Sequence, residues 1–476
     1  MTVIAHGQYP QRRPNGLWRG SSAMTLGLTT TASKVFLNAF NSLETIGLDN
    51  FLKLVEERND PFERQRGLIT GSENPASSRP NLVSSHSNSL HSQLVIIFQC
   101  KNASTPADQP PKLTHALSRV DDPLIWGVLP LGLAFQPWNL RWSLGAHDIC
   151  FKNKLLSTYF TLGQVLPAHR KMHSPHAGPF QPVMTQAIRL LSAYPFKTLP
   201  DHVNVAPTPK TVTVQSLIEN LRDPFTDGGL TYSTTGKDVH TAPSAYLSNR
   251  HAWVHVFPEG LVHQHPQRQM RYFKWGVARM ILEAEPMPDL VPMFIDGTID
   301  VMNENRGWPR AMPRAGNNVR VAFGDKVDME STFGDLRRRW KRLVRKAVEE
   351  REAEIAVVER QIAEATAVSE KTAASDRQAG RHGIVSTKQA LPAGLKKPDV
   401  LRIGELPEEL KHNKEAVEIR IEVTRRVRDE VLKLRKSLGY PDEDPAWKFG
   451  LAETWARDPK ETKKSPVDGS MEKPST

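Results

Sequence analysis

Apolar residues fall into three textures along the chain. Over residues 33–57 they recur at helical spacing, first as Phe36, Phe40 and Leu43, then as Leu48, Phe51, Leu52 and Val55. Such a stretch reads as a core-packing helix or, more sharply, as an interfacial helix lying on a bilayer. The second texture is a series of short apolar runs with the look of buried strands: Arg66–Thr70, His147–Phe151, Leu162–Pro167, Ala252–Phe257, Leu290–Phe294 and Val319–Phe323. Helical patterns such as Phe273–Glu285 separate several of them, and that alternation predicts an α/β domain. Val128–Leu140, apolar with Pro130 and Pro137, suits either the core or a membrane face. The third texture begins with Leu336, Trp340, Leu343 and Ala347, breaks over 380–398 and resumes from Glu408. There Val423, Val427, Val431, Leu434 and Leu438 form a helical stripe in highly charged surroundings, which predicts a solvated helical appendage.

Two stretches lack either period. Residues 71–116 are rich in Ser, Asn, Pro, Gln and His around one short apolar run, LVIIFQC, and predict a disordered insert. From Tyr440 the chain is rich in Pro, Lys and Asp and predicts a disordered tail. The expected organisation is therefore a flexible basic leader over 1–32, an α/β domain over 33–327 interrupted by the insert, a charged helical extension over 328–440, and a tail over 441–476. Arg12, Arg13 and Arg19, with no acidic residue before Glu44, give the leader the character of a mitochondrial transit segment.

The net charge of +11 and pI near 9.5 favour an anionic partner, nucleic acid or anionic lipid. No nucleic-acid module and no interleaving of basic with aromatic residues is present, so nucleic acid is excluded. Cys100 and Cys150 make neither a disulfide scaffold nor a zinc site. No run of about 18 apolar residues predicts an ordinary membrane-spanning helix. Neither a strand-borne G-x-G-x-x-G, nor a P-loop, nor a G-x-S-x-G occurs, and no cofactor is expected. His169, His173 and His176 have a spacing compatible with metal on a helix, but Pro175 and the lack of nearby acids argue against it, and no metal is expected. His251, His255, His263 and His265 read as surface or packing residues, with His255 the one that suits a place near a site.

Four blocks remain, in order. Leu117-Ser118-Arg119-Val120-Asp121-Asp122-Pro123-Leu124-Ile125-Trp126-Gly127 follows His115; Val165-Leu166-Pro167-Ala168-His169-Arg170 leads to Gly178-Pro179-Phe180-Gln181; Phe257-Pro258-Glu259-Gly260 follows a strand; Leu290-Val291-Pro292-Met293-Phe294 closes the series. This order resembles that of glycerolipid acyltransferases, whose signature is H-x-x-x-x-D. Arg141-Trp142, Asp148-Ile149-Cys150-Phe151, Leu162–Pro167 and Phe273-Lys274-Trp275-Gly276-Val277-Ala278-Arg279 narrow the resemblance to the tafazzin family, fungal type, over about Ser33 to Val327. The resemblance implies a mixed sheet covered by helices and a CoA-independent phospholipid–lysophospholipid transacylase that remodels cardiolipin. It implies His115 as general base with Asp121 orienting it, and Arg170, Phe257, Pro258, Glu259 and Gly260 as substrate-binding residues. It further implies phospholipid, lysophospholipid and an anionic membrane surface as partners, possible self-association, and a peripheral place on a mitochondrial membrane facing the intermembrane space.

The signature is out of register. Five positions before Asp121 stands Ala116, and His115 is one residue too early. Family-like text stops at Thr70 and returns at Leu117, without the V-S-N-H-like tetrad that the family places there. One reading makes 71–116 a translated non-coding segment or a mis-joined exon, with the base lost; the other makes it a native loop that brings His115 into place. A catalytically impaired lipid-binding protein is the alternative function on the first reading.

Overall fold

The computed structural model describes residues 16–59, 64–71, 124–171, 174–193, 231–260, 269–301, 312–378, 403–448 and 450–452. Its strands are β1 (Ser42–Ile46), β2 (Leu68–Gly71), β3 (Trp142–Ala146), β4 (Val165–Ala168), β5 (Thr231–Tyr232), β6 (His240–Thr241), β7 (Trp253–Val256), β8 (Asp289–Asp296) and β9 (Asn318–Phe323). Seven form one sheet in the order β1-β9-β8-β2-β7-β3-β4, and β5 pairs with β6 as a small antiparallel hairpin. Strands β8, β2, β7, β3 and β4 run parallel, β9 runs antiparallel to β8, and β1 is parallel to β9. All four residues of β2 and of β7 are buried. Burial on both faces is why the central strands read as continuous apolar runs rather than alternating ones.

The main helices are α1 (Gly16–Ala39), α2 (Leu48–Glu57), α3 (Lys154–Leu162), α4 (Pro182–Leu191), α5 (Gly276–Glu283), α6 (Met329–Gln378) and α7 (Lys414–Ser437). Successive side chains of a strand point to opposite faces, and the core divides accordingly. Ile69, Val254, Val256 and Leu290 pack with α4, α5, α6 and α7. Leu68, Trp253, Val291, Met293 and Ile295 pack with α1, α2 and Leu124–Leu129. The result is a three-layer α/β sandwich, and the expected mixed sheet covered by helices is what the chain forms.

The structure departs from the sequence reading at four places. His147–Cys150 is a helical turn, not a strand; the strand lies just before it. Ile149, Cys150 and Phe151 are buried in a small cluster with Ala146 and Val165, and a short apolar run does not reveal whether it is strand or helix. Leu43 belongs to β1, so the helical spacing read through Phe36 and Phe40 ends earlier than expected.

The third departure is the leader. Residues 16–32 belong to α1, whose buried side is Ser22, Leu26, Gly27, Thr30, Ser33 and Leu37. Small residues dominate because the helix approaches the segment after Leu124 closely. A Cβ at Gly27 would lie 2.2 Å from the Phe135 ring, and one at Gly127 would lie 2.7 Å from the backbone of Lys34. A helix buried through Gly, Ser and Thr carries little hydrophobic periodicity. The fourth departure is the extension, which is no appendage: Phe333, Leu336, Trp340, Ile419, Val423, Val427 and Val431 belong to the same core as α4 and α5.

Candidate active site

In open parallel sheets ligands bind beyond the carboxyl ends of the strands. Here those ends are Gly71 of β2, Val256 of β7, Ala146 of β3 and Ala168 of β4, with Gly71 in register with Val256 and Ala146 with Ala168. Phe257–Gly260 follows β7, His147 and Asp148 follow β3, and His169 and Arg170 follow β4. The sequence-predicted Arg170 and Glu259 therefore leave the same edge of the sheet, two strand spacings apart, about 10 Å. His115 and Asp121 lie outside the described residues.

What is described brackets them. The chain leaves the sheet at Gly71 and is next described at Leu124. Leu124 and Ile125 are buried, and Trp126 stands edge-on to Trp253 at 5.0 Å and to His255 at 4.9 Å. His255 is fully buried on β7, with Nδ1 2.8 Å from the Thr70 hydroxyl, which also accepts from the Trp253 indole at 2.9 Å. His255 thus sits under the strand ends as a packed, hydrogen-bonded residue.

Phe257–Gly260 is a turn closed by the Gly260 amide donating to the Phe257 carbonyl, and Gly260 takes a φ of +68°, a conformation glycine adopts without penalty. Glu259 is buried, and its carboxylate accepts the Arg271 amide at 2.6 Å. The Lys274 amide donates to the Pro258 carbonyl at 2.6 Å. The motif is therefore latched to the segment 269–275, and that segment is held from behind: Arg428 of α7 donates to the carbonyls of Met270 and Arg271.

Arg170 is mostly buried and forks onto Asp148, Nε to Oδ1 at 3.0 Å and Nη2 to Oδ2 at 2.5 Å. Its Nη1 is buried with no hydrogen-bond partner among the described residues. A fixed guanidinium with one free donor edge is the arrangement that receives a phosphodiester oxygen.

Beside Arg170 is a cluster that the sequence reading missed. The His147 and His169 rings stack at 4.3 Å, and the β5–β6 hairpin brings Asp238 and His240 against them. His240 Nε2 lies 2.8 Å and His147 Nε2 3.3 Å from Asp238 Oδ2. His169 Nε2 lies 2.7 Å from the Thr234 hydroxyl, which donates in turn to Asp238. Burial works to raise the Asp238 pKa, but hydrogen bonds from Thr234, Thr235 and Ser233 outweigh it and hold the carboxylate well below its usual range. Burial, followed by the neighbouring His147, lowers the His169 pKa; burial likewise lowers that of His240, against the pull of Asp238. The available signal was the turn Ser233-Thr234-Thr235-Gly236 before Asp238, a hydroxyl-rich loop of the kind that wraps a carboxylate. His173 lies outside the described residues, and the acid missing around His169 and His176 in sequence is supplied by Asp238 in space.

A separate cavity of about 440 Å³ lies at the opposite ends of β3 and β4, lined by Trp18, Arg19, Trp138, Trp142, Gln164 and Tyr246 among others.

A largely parallel α/β sheet, with a proline-glutamate-glycine turn after β7 and an arginine after β4 at the same edge, carries the blocks that the sequence shares with acyltransferases of the glycerolipid class. No family model matches the chain. It is 32% identical over 346 residues to the tafazzin of Saccharomyces cerevisiae, a match spanning 71% of this chain and 70% of that protein. The chain belongs to the tafazzin family and is an acyltransferase acting on phospholipids. It is also 28% identical to the tafazzin of Drosophila melanogaster, over 48% of this chain and 42% of that protein. An N-acylphosphatidylethanolamine synthase of Arabidopsis thaliana is 24% identical over 46% of this chain and 55% of its own length.

Proposed function

We propose that the chain is a CoA-independent transacylase that moves an acyl chain from a donor phospholipid to a lysophospholipid hydroxyl, with monolysocardiolipin as acceptor, at a mitochondrial membrane facing the intermembrane space. Histidine takes the proton of the attacking hydroxyl, and Asp121 orients the ring and supports the imidazolium that forms. The hydroxyl attacks the donor ester carbonyl, the ester bond breaks, and the proton passes to the departing glycerol oxygen. Arg170 holds a phosphodiester. Phe257, Pro258, Glu259 and Gly260 shape the glycerol side of the site, Glu259 by fixing the 269–275 segment.

The observation that carries this reading is the Nη1 of Arg170, buried and without a hydrogen-bond partner among the described residues, at the same sheet edge as the Phe257–Gly260 turn. A second observation supports the membrane. Leu17, Met24, Leu28 and Val35 are exposed along one side of α1, beside exposed Leu131, Phe135 and Trp138 and, on α3, Leu155 and Tyr159. Helix α1 packs against both neighbouring segments, as Ser22 shows by donating to the Leu162 carbonyl at 2.7 Å. No helix among the described residues is long and apolar enough to cross a bilayer, and an amphipathic face of this kind lies in the interface plane.

The one-residue displacement of His115 favours a second reading, a lipid-binding protein with an impaired site. Acyl exchange between labelled phosphatidylcholine and monolysocardiolipin, without CoA, separates the two. It is run on this chain and on one with 71–116 replaced by Val-Ser-Asn-His. Exchange by both means that the insert is tolerated and that His115, or another base, serves. Exchange by the repaired chain alone means that the insert removes the base. Exchange by neither folded chain overturns the transacylase reading.

A further inference from the structure

The β5–β6 hairpin has two paired residues in each strand, and a pair this short is not stable by itself. Something outside its backbone ladder fixes it against β3 and β4. The contact is Asp238, and the carboxylate is oversubscribed. Its Oδ1 receives the Ser233 and Thr235 hydroxyls and the Thr234 and Thr235 amides. Its Oδ2 receives the Thr234 hydroxyl and faces two imidazole nitrogens, His240 Nε2 at 2.8 Å and His147 Nε2 at 3.3 Å. An ionised carboxylate offers about four lone-pair sites. Four donors crowd Oδ1, and Oδ2 has three partners for two lone pairs, two of them imidazole nitrogens rather than hydroxyl or amide donors. Two imidazoles aimed at one anionic oxygen are better satisfied by a shared cation than by competing N–H groups.

We propose that His147, Asp238 and His240 bind one divalent first-row transition ion, zinc foremost, which fastens the β5–β6 hairpin to the carboxyl end of β3. The three ligand atoms lie within 4.8 Å of one another. Zinc bonds of about 2.0–2.2 Å in a tetrahedron put neighbouring ligand atoms roughly 3.3–3.5 Å apart. The His147–Asp238 separation of 3.3 Å is already there, and the His240–Asp238 separation of 2.8 Å falls just short of it. Two imidazoles and one carboxylate suit zinc, while magnesium and calcium prefer all-oxygen shells. The Oδ1 hydrogen bonds are the outer shell that aims Oδ2 inward. His169 is not a ligand: its Nε2 is committed to Thr234, and its ring stacks on His147 as a backing. The ligand side chains are 10–24% exposed, enough for an ion to enter.

The test uses the full chain, stripped with a chelator and titrated with zinc by calorimetry and elemental analysis. One ion per chain is expected. Ser233→Ala, which removes a hydroxyl from Oδ1, is expected to weaken binding by about 10- to 100-fold, as outer-shell changes do. His240→Cys keeps a ligand, and is expected to retain the ion and to add a thiolate-to-metal absorption band when cobalt replaces zinc. Chelation is expected to speed amide exchange across 231–241 in the wild-type chain, a readout that requires no variant. Binding by the wild type no stronger than that of a His147→Ala/His240→Ala double variant, or exchange across 231–241 indifferent to chelator, overturns the proposal and leaves a hydrogen-bonded hub in its place.

Discussion

Helices α1 and α7 are each 24 residues long, and each contradicts its composition. Helix α7 is heavily charged, yet it is embedded in the core. Helix α1 carries only two charged residues, Arg19 and Lys34, yet it turns four large apolar side chains outward. Helix α7 buries its charge by giving most guanidinium donors a carbonyl or carboxylate, while the buried Nε of Arg420 has no partner among the described residues. Arg420 is fully buried, donates to the carbonyls of Leu410 and Lys411, and lies between the Phe180 and Trp340 rings at 5.0 and 5.1 Å. Burial pulls its guanidinium down to about 10. Arg428 and Arg435 likewise spend their donors on loop carbonyls. Helix α1 instead spends its small residues on close backbone contacts. Charge content therefore says little about which helix faces water; what matters is whether each donor finds an acceptor and whether each apolar group has a protein neighbour.

The comparison can be broken most sharply at Arg420. Arg420→Ala leaves the carbonyls of Leu410 and Lys411 without their donors and a gap between two rings, and is expected to cost about 2–5 kcal/mol; urea unfolding of the full chain measures it. Next is the outward side of α1. Met24→Asp with Leu28→Asp removes two side chains worth about 1.5 kcal/mol each or more on burial. Partition onto cardiolipin-containing vesicles is expected to fall by about 100-fold with the urea midpoint unchanged. A loss of stability instead would show that this face is covered by protein.

Arg428 sharpens the contrast, because it links α7 to the site. Arg428→Gln is expected to lower kcat by about tenfold through the shifted Phe257–Gly260 turn, with KM little changed. Lysine is not expected to rescue, since it lacks the planar fork; equal loss in kcat and in folding stability would make the role purely structural. The smallest effect belongs to the surface pair Arg426–Asp335, which joins α7 to α6. A hydrogen bond from Arg426 lowers the Asp335 pKa. Its stabilisation is thus complete above the ordinary aspartate value and is lost as pH falls through the lowered one. Asp335→Asn is expected to cost at most about 1 kcal/mol at neutral pH and to remove part of the acid slope below about pH 4 in thermal melts.

The central strands were legible in the sequence because burial on both faces leaves unbroken apolar runs, as in β7 and β8. The order of blocks around Arg170 and Phe257–Gly260 was legible too, since each closes a strand at the same edge. Helix α1 was not, because close packing through Gly27 and Ser33 erases hydrophobic periodicity. The hub at Asp238 was not, because His147 and the Thr234-bonded His169 lie far from Asp238 along the chain, and the histidines weighed for metal, His169, His173 and His176, have no acid beside them in sequence. The core role of α7 was half legible: Val423, Val427 and Val431 showed the stripe, while Arg420 and Arg428 on the same buried side disguised it.

The bonds from Arg428 to Met270 and Arg271 carry a consequence for how the protein is made. Arg428 follows Arg271 by 157 residues. A ribosome therefore releases the Phe257–Gly260 turn and the segment that latches it long before the residue that braces them. A stop codon between the codons of Trp275 and Arg428 yields a chain whose Phe257–Gly260 turn keeps its bonds to Arg271 and Lys274 while the segment behind it has lost its brace.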